Sequence, residues 1–401
     1  MESEATNQQG LKEWKITRLD QCARIIGGST PKTSVKEYWN GDICWTTPKD
    51  LSDLVTPYLE ETPRRITKVG LDSCGAEILP EGSVLFSSRA PIGHVAINIV
   101  PMATNQGFKS FVPSPEKLDA KFLYYWLRKN RDYFNSIGNG ATFKEVSKAV
   151  VSQVEILLPP IAEQKRIAAI LDKAEELRGL RRKALEELDA IVQSIFLEMF
   201  GDPVTNSKKW KTGLLRTICD EINDCPHSTP VWTENGVICL RTSNLTRGSW
   251  NWNDTRFVSV ETYHERSKRG YIKAGDIILS REGTVGVAAI ATSEMKICMG
   301  QRLVQVRPLA SVLTSEFTLQ HLLYVLAPAR ISMLMVGSTS QHLNVKELKD
   351  LKIPLPPFSL QREFARRVQT IERLKTIHRE SLAQLDALFT SLQHRAFRGE
   401  L

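Results

Sequence analysis

The sequence predicts an α+β protein: two similar mixed α/β domains separated by a pair of long antiparallel helices, related by an internal pseudo-two-fold repeat. Three observations carry this. The first is duplication, because Asp119–Met199 and the stretch from Ser315 onward share their order of elements at an offset of 197 residues. Gly140-Ala141-Thr142 answers to Gly337-Ser338-Thr339, and Leu157-Leu158-Pro159-Pro160 to Pro354-Leu355-Pro356-Pro357. Gln164-Lys165-Arg166 answers to Gln361-Arg362-Glu363, and Leu188-Asp189 to Leu385-Asp386. The second is a long proline-free stretch at the end of each copy. The third is a set of short β-type runs between glycine turns ahead of each stretch.

The helices follow from periodicity. After Pro159-Pro160, residues 162–199 hold no proline and one glycine. Apolar residues recur at Ile170, Ala174, Leu177, Ala184, Leu188, Ile191 and Ile195, steps of three and four that make one stripe. The second copy repeats it with Ile371, Leu374, Ile377, Leu382, Leu385, Leu388 and Leu392. Such a helix, about 57 Å long at ~1.5 Å per residue, needs a partner for its stripe. The other copy is the simplest one. Packing is therefore expected through Leu177, Leu188, Ile191 and Ile195 against Leu374, Leu385, Leu388 and Leu392. This divides the chain into a domain at 1–158, a helix at 159–200, a domain at 201–355 and a helix at 356–401.

Each front half mixes strands and helices. Ser83-Val84-Leu85-Phe86 and Asp276-Ile277-Ile278-Leu279 read as strands, each after a glycine turn and before a loop with a further glycine, Gly93 or Gly286. An aromatic helix is expected near Phe122–Leu127, with its counterpart at Leu319–Leu326. Elsewhere the fronts align only patchily, at Trp14 with Trp210, Ile43 with Ile238, Ser87 with Ser280 and Gln106 with Gln301. A shared frame with different loops suggests one job done on two targets, and duplex DNA is the common two-part target.

Composition narrows the class. With 401 residues the chain is too long for one core, and 42% hydrophobic with 24% charged residues is ordinary for a soluble protein. No apolar run is long enough to span a membrane, and Met1-Glu2-Ser3-Glu4 does not resemble a signal peptide. Seven scattered cysteines without a C-x-x-C pair fit reduced thiols in the cytoplasm. The net charge is +8, yet Ile161–Phe200 carries seven basic against eight acidic residues, so the excess lies outside that helix.

No catalytic constellation emerges. A glycine-rich cofactor loop with an Asn/Asp-Pro-Pro-aromatic motif is lacking, and the proline pairs read as hinges. A Walker A loop is lacking too. The histidines show no metal-ligand spacing, and His227 and His342 read as loop or surface residues, so no metal is expected. Asp276 with Glu282 lacks the Glu-x-Lys of a nuclease, and Glu282-Gly283-Thr284 reads as a polar loop.

Polar loops remain, at corresponding places in both copies. In the first they offer Thr46, Thr47, Lys49, Ser87, Ser88, Arg89, Asn105, Gln106, Lys109, Thr142 and Lys144. In the second they offer Arg241, Thr242, Asn244, Ser280, Arg281, Gln301, Arg302, Ser338, Thr339, Gln341 and His342. Arg can read guanine and Asn or Gln adenine, each with two hydrogen bonds. Ser, Thr and Lys suit phosphates. Thr104, Asn105 and Gln106 equally fit the holding of a strand end. Phe143-Lys144 facing Ser340-Gln341 implies that the two loops touch different bases.

The duplicated glycine turn, the Pro-Pro step and the helix starts Glu163–Ala168 and Leu360–Ala365 together resemble the specificity (S) subunits of type I restriction–modification systems, the HsdS family. The resemblance covers residues 11 to 401. It implies two target recognition domains that read the halves of a bipartite, asymmetric site in double-stranded DNA. It implies a helix pair that acts as a ruler between them. Catalysis is then expected only in partners: two methyltransferase (M) subunits using S-adenosylmethionine to methylate adenine, and restriction (R) subunits using ATP and Mg2+. The rival expectation is a non-catalytic coiled-coil adaptor joining two proteins without reading DNA.

Overall fold

The computed structural model describes residues 14–52, 54–89, 91–140, 144–328, 330–331 and 342–401. They form two compact units: residues up to Arg181 with Ser381–Leu401, and Arg182–Glu380.

The first unit is built on a five-stranded sheet. Its spatial order is Ala23–Gly27, Lys109–Pro113, Val84–Phe86, Val95–Asn98 and Tyr58–Leu59. Val84–Phe86 is buried on both faces, which its continuous apolar run requires. A three-stranded sheet of Arg64–Ile66, Trp39–Thr46 and Met102–Thr104 has one antiparallel and one parallel pairing. The aromatic helix is Ala120–Lys129, begun by Asp119, whose carboxylate accepts the Phe122 N–H at 2.9 Å.

The second unit repeats the plan with four strands in its main sheet: Cys219–Asp224, Leu303–Pro308, Ile277–Ser280 and Ala288–Ile290. Its three-stranded sheet joins Phe257–Val258, Val237–Leu240 and Ile297–Met299, again with one antiparallel and one parallel pairing. The corresponding helix is Ser315–Val325, capped by Thr314.

In both units a two-stranded ribbon leads into a long helix. Lys15–Arg18 pairs with Glu155–Leu158, and Thr212–Leu214 with Lys352–Pro354. The proline pairs end these ribbons because proline has no N–H for the ladder. The helices that follow are Ile161–Phe200 and Phe358–Ala396. One glutamine locks each start. Gln164 accepts the Asp119 N–H at 2.8 Å and donates to the Lys117 and Pro159 carbonyls at 2.8 and 2.9 Å. Gln361 does the same with the Thr314 N–H and the Val312 and Pro356 carbonyls, at 3.1, 3.0 and 3.0 Å. Both side chains are fully buried.

Within each unit the helix segments run antiparallel. In the first, Arg178 reaches Asp386 while Arg166 reaches the Leu401 carbonyl. In the second, Lys375 pairs with Asp189 while Phe364 packs on Phe196 and Phe200. Ile167, Leu171, Ala174, Phe389 and Ala396 enter one core with Phe122. Val192, Phe196, Phe200, Phe364, Val368 and Ile371 enter another with Phe317.

This seam corrects the expected stripe. Leu177, Ile191, Leu374 and Leu388 are 39–48% exposed. Each lies one residue before a better buried position: Arg178, Val192, Lys375 and Phe389. One residue is about 100° of helix turn. The seam runs in steps of three and four through Arg178 and Lys375, so a pattern drawn from apolar residues alone steps aside at those two cations. Leu188, Ile195, Leu385 and Leu392 are half-buried along the seam.

Candidate nucleic-acid interface

In each unit three separate loops are drawn together by backbone hydrogen bonds. After Val84–Phe86 the chain turns tightly: the Ser87 N–H donates to the His94 carbonyl at 2.9 Å, and the Ser87 hydroxyl to the Pro91 carbonyl at 2.7 Å. Ser88 then joins the other two loops. Its N–H donates to the Gly107 carbonyl at 2.8 Å, and its carbonyl accepts the Val146 N–H at 2.9 Å. Asn139 and Glu145 close the third loop with reciprocal backbone bonds. Glu145 lies 3.1 Å from the Lys109 ammonium and 3.7 Å from the Arg89 guanidinium.

The second unit has the same frame with different side chains. The Ser280 N–H donates to the Val287 carbonyl at 2.9 Å. The Arg281 N–H donates to the Arg302 carbonyl at 3.0 Å, and its carbonyl accepts the Leu343 N–H at 2.8 Å. Arg281 thus stands where the first unit has Ser88. Its guanidinium is held 3.0 Å from Asp224 and 3.0 Å from Glu282, and His227 bridges back to Asp224 at 3.1 Å. Glu282 also faces Arg302 at 3.5 Å. Gln301 donates to the His227 carbonyl. His342 sits beside Glu282 through an isolated bridge.

A fourth element, a short 3-10 turn, flanks each frame. In Pro48–Leu51 the Asp50 carboxylate accepts the Thr47 N–H at 2.7 Å and its hydroxyl at 3.0 Å. In Thr242–Asn244 the Asn244 side chain accepts the Arg241 N–H at 2.9 Å and donates to the Asn251 and Asp254 carbonyls. Arg241 pairs with Asp254, and this hydrogen bond holds that carboxyl below its usual range. The turns join the loops through Asn105 N–H to the Thr46 carbonyl at 3.0 Å, and Gly300 N–H to the Leu240 carbonyl at 2.8 Å. A Cβ at Gly300 would lie 2.3 Å from that carbonyl oxygen, so only glycine permits the approach.

The residues expected to meet DNA therefore divide. Lys49, Arg89, Gln106, Lys144 and Arg302 are exposed. Asn105, Lys109, Arg241, Thr242, Gln301 and His342 are half-buried at the loop rims. Thr46, Thr47, Ser87, Ser88, Asn244, Ser280 and Arg281 are buried, and the hydrogen bonds and ion pairs above hold the loops in shape. Asn105 holds its own turn as well, accepting the Gly107 N–H at 2.9 Å. Thr142, Ser338, Thr339 and Gln341 lie outside the described residues. Sequence reasoning passed over Asp50, Glu145 and Asp224, the acids that orient these cations and caps. It assigned His227 to an ordinary loop. The one legible signal was Glu145 directly after Lys144.

Among the described residues no group of three or more His, Cys, Asp or Glu could hold a metal ion, and no helix is long and apolar enough to cross a membrane.

Comparison with known proteins fits this duplicated frame. The sequence model of the type I restriction modification DNA specificity domain matches twice, over residues 11–190 and 209–387. The MjaIX specificity subunit of Methanocaldococcus jannaschii is 37% identical over 193 residues, 48% of this chain and 44% of that protein. The MjaVIII specificity subunit of the same organism is 21% identical across 97% of this chain and 93% of its own. The EcoKI specificity subunit of Escherichia coli K12 is 25% identical, over 81% of this chain and 76% of its own. A chain from a structural study of type I R-M complex assembly shares the fold at TM-score 0.57 and 20% identity, covering 97% and 98% of the two chains. The S subunit from M. genitalium does so at 0.55 and 16%, covering 96% of each. With two matched copies spanning most of its length, the chain belongs to the type I restriction modification DNA specificity family.

Proposed function

We propose that this chain is the DNA sequence-specificity subunit of a type I restriction–modification complex, and that its two units read the two halves of a bipartite, asymmetric site. The carrying observation is the loop frame, alike in backbone and unlike in side chains. Ser88 answers to Arg281, and Arg89 to Glu282, so one scaffold offers a cationic rim in the first unit and a mixed rim in the second. Unlike rims read unlike bases, and the site is not a palindrome. The helix pair acts as the ruler between half-sites.

Catalysis belongs to partners on this reading. Methyltransferase subunits would hold S-adenosylmethionine and methylate adenine, and restriction subunits would hold ATP and Mg2+. The helices support two methyltransferase copies. Leu177, Leu180 and Ile191 are exposed on the first helix, and Leu374, Ile377 and Leu388 on the second, each 197 residues on. Exposed apolar groups repeated at one offset suit two copies of one partner.

Single-molecule sequencing of adenine methylation tests this in a host with the cognate methyltransferase subunit, with and without this chain. A new bipartite, non-palindromic motif is expected. No motif from an assembled complex overturns the reading.

A further inference from the structure

A cavity of about 300 Å³ in the second unit opens between the loop Pro226–Val231 and the end of helix Val260–Arg266. Arg266 stands in its wall and is only 6% exposed. Its Nε donates to the Met299 carbonyl at 2.8 Å, Nη1 to the Ser228 carbonyl at 3.1 Å and Nη2 to the Pro226 carbonyl at 3.3 Å. A guanidinium has five N–H donors; the three carbonyls take three, the Cys239 sulfur is a fourth hydrogen-bond partner, and one is left over. Among the described residues Arg266 has no ion pair. A cation this deep without a counter-ion is costly, and an arriving anion removes that cost.

The surroundings favour an anion. Lys268 and Arg269 are exposed at the rim, and Ser228 and Thr229 line the wall with hydroxyl-bearing side chains. Glu265 is the single acid in the lining. A cavity in the first unit has the opposite character, with Asp42, Glu60 and Glu61 against Arg65. The cavity also adjoins the reading loops. Met299, held by Arg266, precedes Gly300-Gln301-Arg302, and His227, whose carbonyl Gln301 holds, lies between Pro226 and Ser228.

We propose that this cavity takes one phosphate group, a phosphodiester of the half-site read by the second unit. The assignment rests on the DNA-reading function above. Arg266 supplies the buried charge and its remaining donor, and Lys268 and Arg269 close over the outer oxygens. A phosphate carries no base identity, so the contact sets the register of the duplex against Arg302 and Gln301 rather than choosing a base.

The test uses the assembled complex with its methyltransferase partner. Lys268 is exposed and outside every hydrogen bond described above, so Lys268→Gln leaves the fold alone; Arg266→Lys serves as the second variant. Both are expected to lower affinity several-fold on any target sequence. The Lys268→Gln slope of log affinity against log salt should flatten by about 0.9, one phosphate's worth. A scan follows in which each phosphate of the site is replaced in turn by a neutral methylphosphonate. At one position, in the half-site of the second unit, wild type and variants should bind equally. A constant deficit at every position overturns the proposal. Inorganic phosphate is the probe for the other source of the same chemistry. If it raises the melting temperature of wild type but not of Lys268→Gln, while DNA affinity is the same for both, the cavity serves a free anion and the proposal fails. A wild-type complex without salt-dependent DNA binding overturns the DNA-reading function as well, which separates the two failures.

Discussion

Lys375 lies 2.7 Å from Asp189 across the helix pair of the second unit, with its side chain only 5% exposed. The same arrangement recurs in the first unit, where Arg178 meets Asp386 at 2.6 Å. Each cation also takes a glutamate three residues earlier, Glu372 or Glu175. All three members of the triad recur at the 197-residue offset. A cation at a seam position favours one register at some expense in stability. Lys375→Met should therefore cost less than about 1 kcal/mol, because an apolar side chain suits the seam. Asp189→Lys should cost about 2 kcal/mol, below the full penalty for a buried pair because Asp189 is well solvated. Chemical denaturation of the complex measures both.

The glutamine locks should matter more than the ion pairs. Gln361→Leu leaves one N–H and two carbonyls without partners in a dry site and should cost about 3 kcal/mol. Gln164→Leu should do the same to the first unit. Each variant is expected to impair methylation in a way that tracks its own half-site, read by methylation of hybrid targets. Equal damage to both halves would argue against separate readers.

Acid should destabilise the second unit through His321. This side chain is fully buried, and neither ring nitrogen has a hydrogen-bond partner. Burial pushes its pKa down to about 3. The unfolded chain binds a proton near pH 6.5 and the folded chain does not. The stability is therefore complete above pH 6.5 and falls toward pH 3, by up to about 1.4 kcal/mol per pH unit. His321→Leu should raise the melting temperature at both pH 5 and pH 7.5, because it also removes two unpaired buried polar atoms, and by clearly more at pH 5. Equal shifts at both would remove the linkage.

Holding and reading should separate at the loops. Arg281→Ala strands Asp224 and Glu282 and should cost about 2–4 kcal/mol together with DNA binding. Arg302 has an exposed side chain and a long contact with Glu282. Arg302→Ala should keep the folding stability within about 0.5 kcal/mol of wild type and still weaken DNA binding. A loss of stability there would place Arg302 among the holding residues.

The proposed ruler role carries a quantitative expectation. One heptad inserted in each long helix keeps the seam in phase. At ~1.5 Å per residue it adds about 10 Å, or about 3 base pairs of gap. Methylome sequencing should return the same two half-sites farther apart, and an unchanged gap would remove the ruler role.

Much of this fold was legible because the chain states it twice. The helix expected at 159–200 is Ile161–Phe200, and the strands at Val84–Phe86 and Ile277–Ser280 lie within one residue of those expected. Glycine and proline punctuation marks such ends locally. The seam was misplaced by one residue at four positions because Arg178 and Lys375 break its apolar pattern, and only a partner helix explains buried cations there. The site was half legible. The loops were found from composition and recurrence, but Ser88 and Arg89 give no local sign that one is buried and the other exposed. That division comes from contacts with Gly107 and Val146, distant in sequence.

The division into units has a consequence for synthesis at the ribosome. Phe389 and Ala396 belong to the core of the first unit, yet the whole of the second unit is translated before them. The second unit can close as soon as Glu380 has emerged. The first emerges earlier but finishes later, and until then Phe122 and Tyr125 lack the aromatic partners Phe397 and Phe389. Birth order and completion order are thus reversed, and in that interval the exposed aromatic patch is a target for chaperones.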